Sequence, residues 1–143
     1  MYKIKAMDIK DYKKIISLWE NSEGVVINSR DDSIKYIKKF LARNPRTCFV
    51  AEYNNIEIIG TIMGGNDGRR GFIYHLMVKP EHRKNGIGKK LLEKTENNFK
   101  KEGIGKIYLL VLESNEIGNK FWEKNDYKFD GNVKFRSKRI IEV

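Results

Sequence analysis

Two glycines one residue apart, Gly86 and Gly88, stand among four basic residues, Arg83, Lys84, Lys89 and Lys90. They fall where an apolar run ending at Pro80 gives way to a helical pattern. The first N–H groups of a helix have no internal acceptor, and the positive end of the helix dipole adds to them. Glycines let the chain present successive N–H groups with no side chain in the way. The arrangement is therefore an anion site, suited to a phosphate. Its spacing separates it from two commoner phosphate loops. The dinucleotide fingerprint needs a third glycine where Leu91 stands, and no Gly-Lys-Ser/Thr closes a longer loop. The tripeptide Gly103-Ile104-Gly105 repeats the pattern, but behind a helix, where it reads as a cap and turn.

Other groups of chemical interest are few. Tyr74 and His75 lie in the apolar run before Pro80, and Glu113, Asn115 and Asn119 precede or open a later helix. Alternation along a strand turns His75 to the face opposite Tyr74, as a packed histidine. The single cysteine, Cys48, reads as a buried thiol. Two distant histidines and one cysteine make no metal cluster, so no metal is expected.

The elements that must position these groups follow from periodicity. Tyr2–Met7 alternates as a strand. Tyr12, Ile15, Ile16 and Trp19 recur at helical spacing, as do Ile34, Ile37 and Leu41 in a second helix stopped before Pro45. Thr47–Tyr53 and Ile56–Gly64 form a hairpin on Asn54-Asn55, a pair that tolerates positive φ. Phe72–Lys79 is an almost unbroken apolar strand, which suggests burial on both faces. Gly86–Lys101 is the strongest helix, with Ile87, Leu91, Thr95 and Phe99 in one stripe and Gly103 as its cap. Lys106–Leu112 is a strand, Asn115–Lys124 a helix, and Tyr127–Val143 a final hairpin. The order is β-α-α-β-β-β-α-β-α-β-β. One α/β domain over residues 1–143, a mixed and mostly antiparallel twisted sheet with about four helices, accounts for it.

Hydrophobic residues make up 40% of the 143 residues, enough for a core. No apolar run nears the roughly 18 residues of a membrane span, so no membrane partner is expected. The first residues lack the apolar stretch of a secretory signal, which makes the cytoplasm the expected compartment. The net charge of +10 is spread along the chain and gives no nucleic-acid recognition element, although it would attract a polyanion.

The segment from Leu76 through Leu92, with Arg83-Lys84-Asn85-Gly86-Ile87-Gly88 at its centre, resembles the acetyl-CoA signature of the GNAT acetyltransferase superfamily. Asn115 through Tyr127 is similar to that family's later motif, and the element order agrees over the chain. Trp19, Thr61–Gly65 and Asp67-Gly68 look like the small bacterial YpeA-type members, close to the ribosomal-protein acetyltransferases. The resemblance implies an enzyme that moves an acetyl group from acetyl-CoA to a primary amine of a peptide, protein or small molecule, as a monomer or homodimer. It assigns the pantetheine arm to the backbone of Leu76, Met77 and Val78. The pyrophosphate falls to Arg83, Lys84, Asn85, Gly86, Ile87 and Gly88, with Lys89 close by. Asn115 is implied at the cofactor arm or as a helix N-cap, and Asn119 as a further contact one turn on.

Two family features are absent. Trp122 stands where a proton-donating tyrosine is usual, and Leu110 where a fifth-strand glutamate serves as base. Tyr74 and Glu113 remain as catalytic candidates, and Val78 N–H as the oxyanion donor. A CoA-binding regulatory module without efficient catalysis is the alternative.

Overall fold

The computed structural model describes residues 1–142. Five strands form one sheet in the order β1-β2-β3-β4-β5: β1 Tyr2–Ala6, β2 Cys48–Tyr53, β3 Glu57–Asn66, β4 Gly71–Val78 and β5 Ile107–Leu109. The first four are antiparallel neighbours, and β5 runs parallel to β4. Helices α1 (Tyr12–Glu20) and α2 (Ile34–Arg43) lie between β1 and β2, α3 (Ile87–Lys101) follows β4, and α4 (Glu116–Lys124) follows β5.

The amphipathic stripes decide the layers. From α1 and α2, Ile15, Leu18, Trp19 and Ile37 pack with Val50, Ile58, Met63 and Met77 of the sheet. Ile87, Leu91, Leu92 and Phe99 of α3 pack with Phe49, Ile59, Ile62 and Ile73, joined by Phe121 and Trp122 of α4. Each helix pair thus covers one sheet face. Turn chemistry agrees with the residues supplied. Asn54 and Asn55 take φ of 52° and 60° at the β2–β3 turn. Gly103, at φ 79°, closes α3 with Gly103 N–H on Lys100 O at 3.0 Å and Ile104 N–H on Phe99 O at 2.9 Å, the paired bonds of a Schellman cap. Tyr127 packs on Trp122 and donates to Glu96 at 2.6 Å, fastening the end of α4 to α3.

Three expectations about the strands are corrected. No strand forms between Tyr127 and Glu142, where a closing hairpin was expected; Val143 lies outside the described residues. The reason lies in β5, which pairs only Ile107–Leu109 with Gly71–Ile73 and so offers three residues of edge. A hairpin rich in Lys and Arg, with no edge to join, is marginal in water. The basic tail instead fixes itself through Arg139, whose guanidinium donates to both oxygens of Asp31 at 2.7 and 3.0 Å. The same short β5 corrects the Lys106–Leu112 boundary. Lastly, β4 is not buried on both faces: Tyr74 is 43% exposed, because β5 and α2 leave that side open.

A β-bulge in β4 sets the site. Thr61 pairs with Met77 but Met63 with Tyr74, so β4 carries an extra residue between them. His75 takes φ of 47° there, a left-handed conformation that costs a non-glycine residue about 1–3 kcal/mol. The bulge breaks the alternation. His75 therefore does not face away from Tyr74 but packs on Trp19, on the α1/α2 side.

Candidate active site

The loop between β4 and α3 is built to leave its amides free. A 3₁₀ turn, Pro80–His82, leads from β4, anchored where the His82 ring lies edge-on to Tyr2 and against Tyr53. Asn85 Nδ2 donates to the carbonyls of His82 and Arg83 at 3.1 and 3.2 Å, binding the loop's oxygens on its own side. Lys84 and Gly86 take φ of 66° and 73°, left-handed steps that turn neighbouring N–H groups into one concavity. Among the described residues, none accepts a hydrogen bond from the N–H groups of Lys84, Asn85, Gly86, Ile87, Gly88 or Lys89. Six successive donors are thus left free at the start of a fifteen-residue helix, with Lys84, Lys89 and Lys90 in the same stretch of chain. A β-carbon on Gly86 would find open space within 4 Å.

Beside this cradle the sheet splits. β5 leaves β4 after Leu109, so β4 from Tyr74 to Val78 has no strand on that side. Lys79 N–H bonds Ile59 O at 2.7 Å, and Gly60 pairs with Val78. Alternation in an antiparallel ladder then turns the N–H and C=O of Val78 away from β3 and into the gap. Arg83 Nε caps that carbonyl at 3.0 Å, which leaves the Val78 N–H as the open group. Asn115 follows β5 as the residue that opens α4. Its Oδ1 caps α4 by accepting from Gly118 N–H at 2.9 Å, while its Nδ2, beside Gly24 of the α1–α2 loop, donates to no described residue.

A concave ladder of free amides joined to a half-open strand is an extended anion-and-amide binding groove. A model of the acetyltransferase (GNAT) family matches residues 13–127. The chain belongs to that family. An acetyltransferase of Sodalis glossinidius is 34% identical over 132 residues, 92% of this chain and 91% of the relative. Another, from Photorhabdus laumondii, is 38% identical over 133 residues, 92% of this chain and 90% of the relative. Solved structures share the fold. The chain is similar to an acetyltransferase of Clostridium acetobutylicum crystallised with acetyl-CoA, at TM-score 0.76 and 24% identity over 96% of both chains. It is also similar to the PaiA N-acetyltransferase of Thermoplasma acidophilum in complex with coenzyme A, at TM-score 0.78 and 24% identity over 92% and 94%.

In this GNAT acetyltransferase the other candidate residues fall on both sides of the gap. Asn119 braces the loop before α4, its Nδ2 donating to Leu112 O at 3.0 Å and Asn115 O at 2.8 Å. Trp122 packs between Phe121 and Tyr127 on the α3 side, away from the open face of β4. Glu113 is exposed in the loop after β5, and Leu110 is 57% exposed. Tyr74 stacks on Phe72 and meets Phe40 edge-on, its hydroxyl bonded to no described residue. Burial raises its pKa, which keeps it a phenol rather than a phenolate. These aromatics, with Tyr108, Arg43 and Arg70, line a cavity of about 500 Å³ on the α1/α2 side.

One constellation escaped the sequence. Asp32, from the loop before α2, places Oδ1 2.9 Å from His75 Nε2. The two residues lie 43 positions apart, and only the bulge turns His75 toward its partner. The positive φ of a histidine is the structural mark of that bulge, and periodicity has no means to register it. Among the described residues, no group of three or more His, Cys, Asp or Glu could hold a metal ion. No described helix is long and apolar enough to cross a membrane.

Proposed function

We propose that this protein carries an acetyl group from acetyl-CoA to a primary amine by direct attack within a ternary complex. The observation that carries the reading is the run of six unpaired amides, Lys84 through Lys89, next to a β4 edge left open by β5. Solved relatives of the same fold hold acetyl-CoA or coenzyme A. The pyrophosphate sits on the backbone from Arg83 to Gly88, where the amides of Lys84 to Gly88 are free, with Lys89 beside it. The pantetheine arm lies along Leu76, Met77 and Val78 as a strand would, and Asn115 offers its free Nδ2 to the arm. The Val78 N–H, turned into the gap, donates to the thioester oxygen as it gains charge. Asn119 acts on the arm through Asn115, whose loop it holds.

The acceptor approaches from the α1/α2 side, where a cavity lined by Phe40, Phe72 and Tyr74 runs from the β3–β4 turn toward the middle of β4. Its amine, with a pKa of about 10.4 if lysine-like, reaches the site as an ammonium and must lose a proton. The CoA thiol resembles a cysteine thiol of pKa about 8.5, so it departs as a thiolate without the tyrosine that Trp122 replaces. Glu113, exposed in the loop after β5, adds negative charge that draws a cationic acceptor. Trp19 and Thr61–Gly65 favour the small YpeA-type bacterial members, and the lone buried thiol suits a cytoplasmic setting.

Calorimetry with acetyl-CoA tests the cradle, and thiol release with a panel of short peptides and diamines tests transfer. Absence of binding at tens of micromolar acetyl-CoA overturns the reading. The thiol assay reports CoA alone, because Cys48 is 2% exposed and burial pushes its pKa up to about 12. Native protein without acceptor is therefore expected to give no rapid reaction with a disulfide reagent, and urea-unfolded protein one thiol per chain. A fast native signal would contradict the buried thiol.

A further inference from the structure

We infer that Asp32 and His75 form a dyad in which His75 Nδ1 takes the proton from the acceptor ammonium; this rests on the acetyltransferase reading above. His75 Nε2 is 2.9 Å from Asp32 Oδ1. Asp32 Oδ2 is held by Asn28 N–H at 2.9 Å, and its backbone carbonyl by Tyr12 Oη at 2.7 Å. A carboxylate whose oxygens both accept requires a hydrogen of the imidazole on Nε2, and in the neutral ring that leaves Nδ1 as a lone pair. Nδ1 has no hydrogen-bond partner among the described residues and is not fully buried, the side chain being 17% exposed.

The ring is also held still. It lies on Trp19 at 4.3 Å between centroids and 41° between planes. Trp19 Nε1 donates to Thr61 Oγ1 at 2.9 Å, and that hydroxyl donates to the His75 carbonyl at 2.8 Å. One chain of bonds therefore fixes floor, backbone and carboxylate. The strained φ of 47° brings the ring to the acceptor side, immediately before the Leu76–Val78 edge. A buried structural histidine would bond through both nitrogens to the protein; here Nδ1 bonds to no described residue.

The step balances as follows. The ammonium gives one proton to His75 Nδ1. The freed amine lone pair forms the C–N bond at the thioester carbon, and the C–S bond breaks with its electron pair on sulfur. The second nitrogen proton passes to the thiolate, and His75 returns its own to water. His75 touches the substrate; Asp32 is a positioning residue.

The test is His75→Gly, a substitution that suits the positive φ, with His75→Gln beside it. With the peptide or diamine that turns over fastest, kcat is expected to fall about 100-fold in both, with acetyl-CoA affinity by calorimetry unchanged. Free imidazole at tens of millimolar is expected to restore at least a tenth of the rate in His75→Gly and none in His75→Gln, where the side chain fills the space. In the double variant His75→Gly with Asp32→Asn the rescue is expected to vanish, because the free imidazole loses its carboxylate. Wild-type turnover alongside full kcat in His75→Gly overturns the dyad alone, as does a loss of rate that imidazole cannot restore. A wild type that turns over no acceptor overturns the acetyltransferase reading and the dyad together.

Discussion

Replacing Gly86 by valine is expected to weaken acetyl-CoA binding about 100-fold while the protein stays folded. Gly86 sits at φ 73° and ψ 13°, as the residue that precedes α3. In that region an L-residue costs roughly 1–2 kcal/mol, and a β-branched one more. The change introduces no clash, since nothing lies within 4 Å of the new β-carbon. Strain is relieved by rotating the loop, and rotation scatters the amides that converge on the phosphates. A hydrogen bond to a charged group contributes about 1.5–3 kcal/mol, so the loss of one or two accounts for the factor of 100. The melting temperature is expected to drop only about 5 °C. Gly88 gives the contrast. Its β-carbon would stand 3.2 Å from Phe121 Cε1 and 3.8 Å from Val78 Cγ2, so Gly88→Val disturbs the seam of α3, α4 and β4 and lowers stability more. Calorimetry on both variants checks this. Wild-type affinity in Gly86→Val would rule out the phosphate role of the loop.

The conformation of this loop was the most legible part of the molecule, because it is set by backbone and by glycines, and glycine positions are visible in a sequence. The four helices and the β2–β3 hairpin were legible for a similar reason: Ile87, Leu91, Thr95 and Phe99 mark a face, and Asn54-Asn55 marks a turn. What failed depended on partners distant in sequence. The closing hairpin has the residues of a strand pair, but strands need an edge, and β5 ends at Leu109. Asn115 was legible as a cap or a ligand, and the structure shows the cap made by Oδ1 with Nδ2 still free. The orientation of His75 was wrong for one physical reason. Period-two alternation holds only where the ladder is regular, and one inserted residue between Tyr74 and Met77 reverses the faces. The Asp32 partnership then follows from tertiary packing of the α1–α2 loop, which no local pattern encodes.

The stability of the fold and the chemistry of the site meet at Trp19, and Trp19→Ala is expected to cost about 3–5 kcal/mol. The indole is fully buried, and its Nε1 supplies the Thr61 hydroxyl with its donor at 2.9 Å. Against a total of roughly 5–15 kcal/mol for a domain, that loss leaves a marginal protein. Trp19→Phe separates the two contributions. It keeps an aromatic floor under the His75 ring and leaves the Thr61 bond to the His75 carbonyl in place, so only one hydrogen bond and part of the volume are lost. A cost of about 1–2 kcal/mol follows, with kcat near wild type. Urea unfolding reads both, as a shifted midpoint at unchanged slope. In Trp19→Ala at a temperature where it remains folded, the imidazole has lost its floor, and kcat should fall while acetyl-CoA affinity holds, because the cradle lies at the far end of β4. A loss below about 1 kcal/mol in Trp19→Ala would mean that the indole is not the keystone of the α1 layer. Equal kcat in the alanine and phenylalanine variants would mean that the ring beneath His75 does not set its aim.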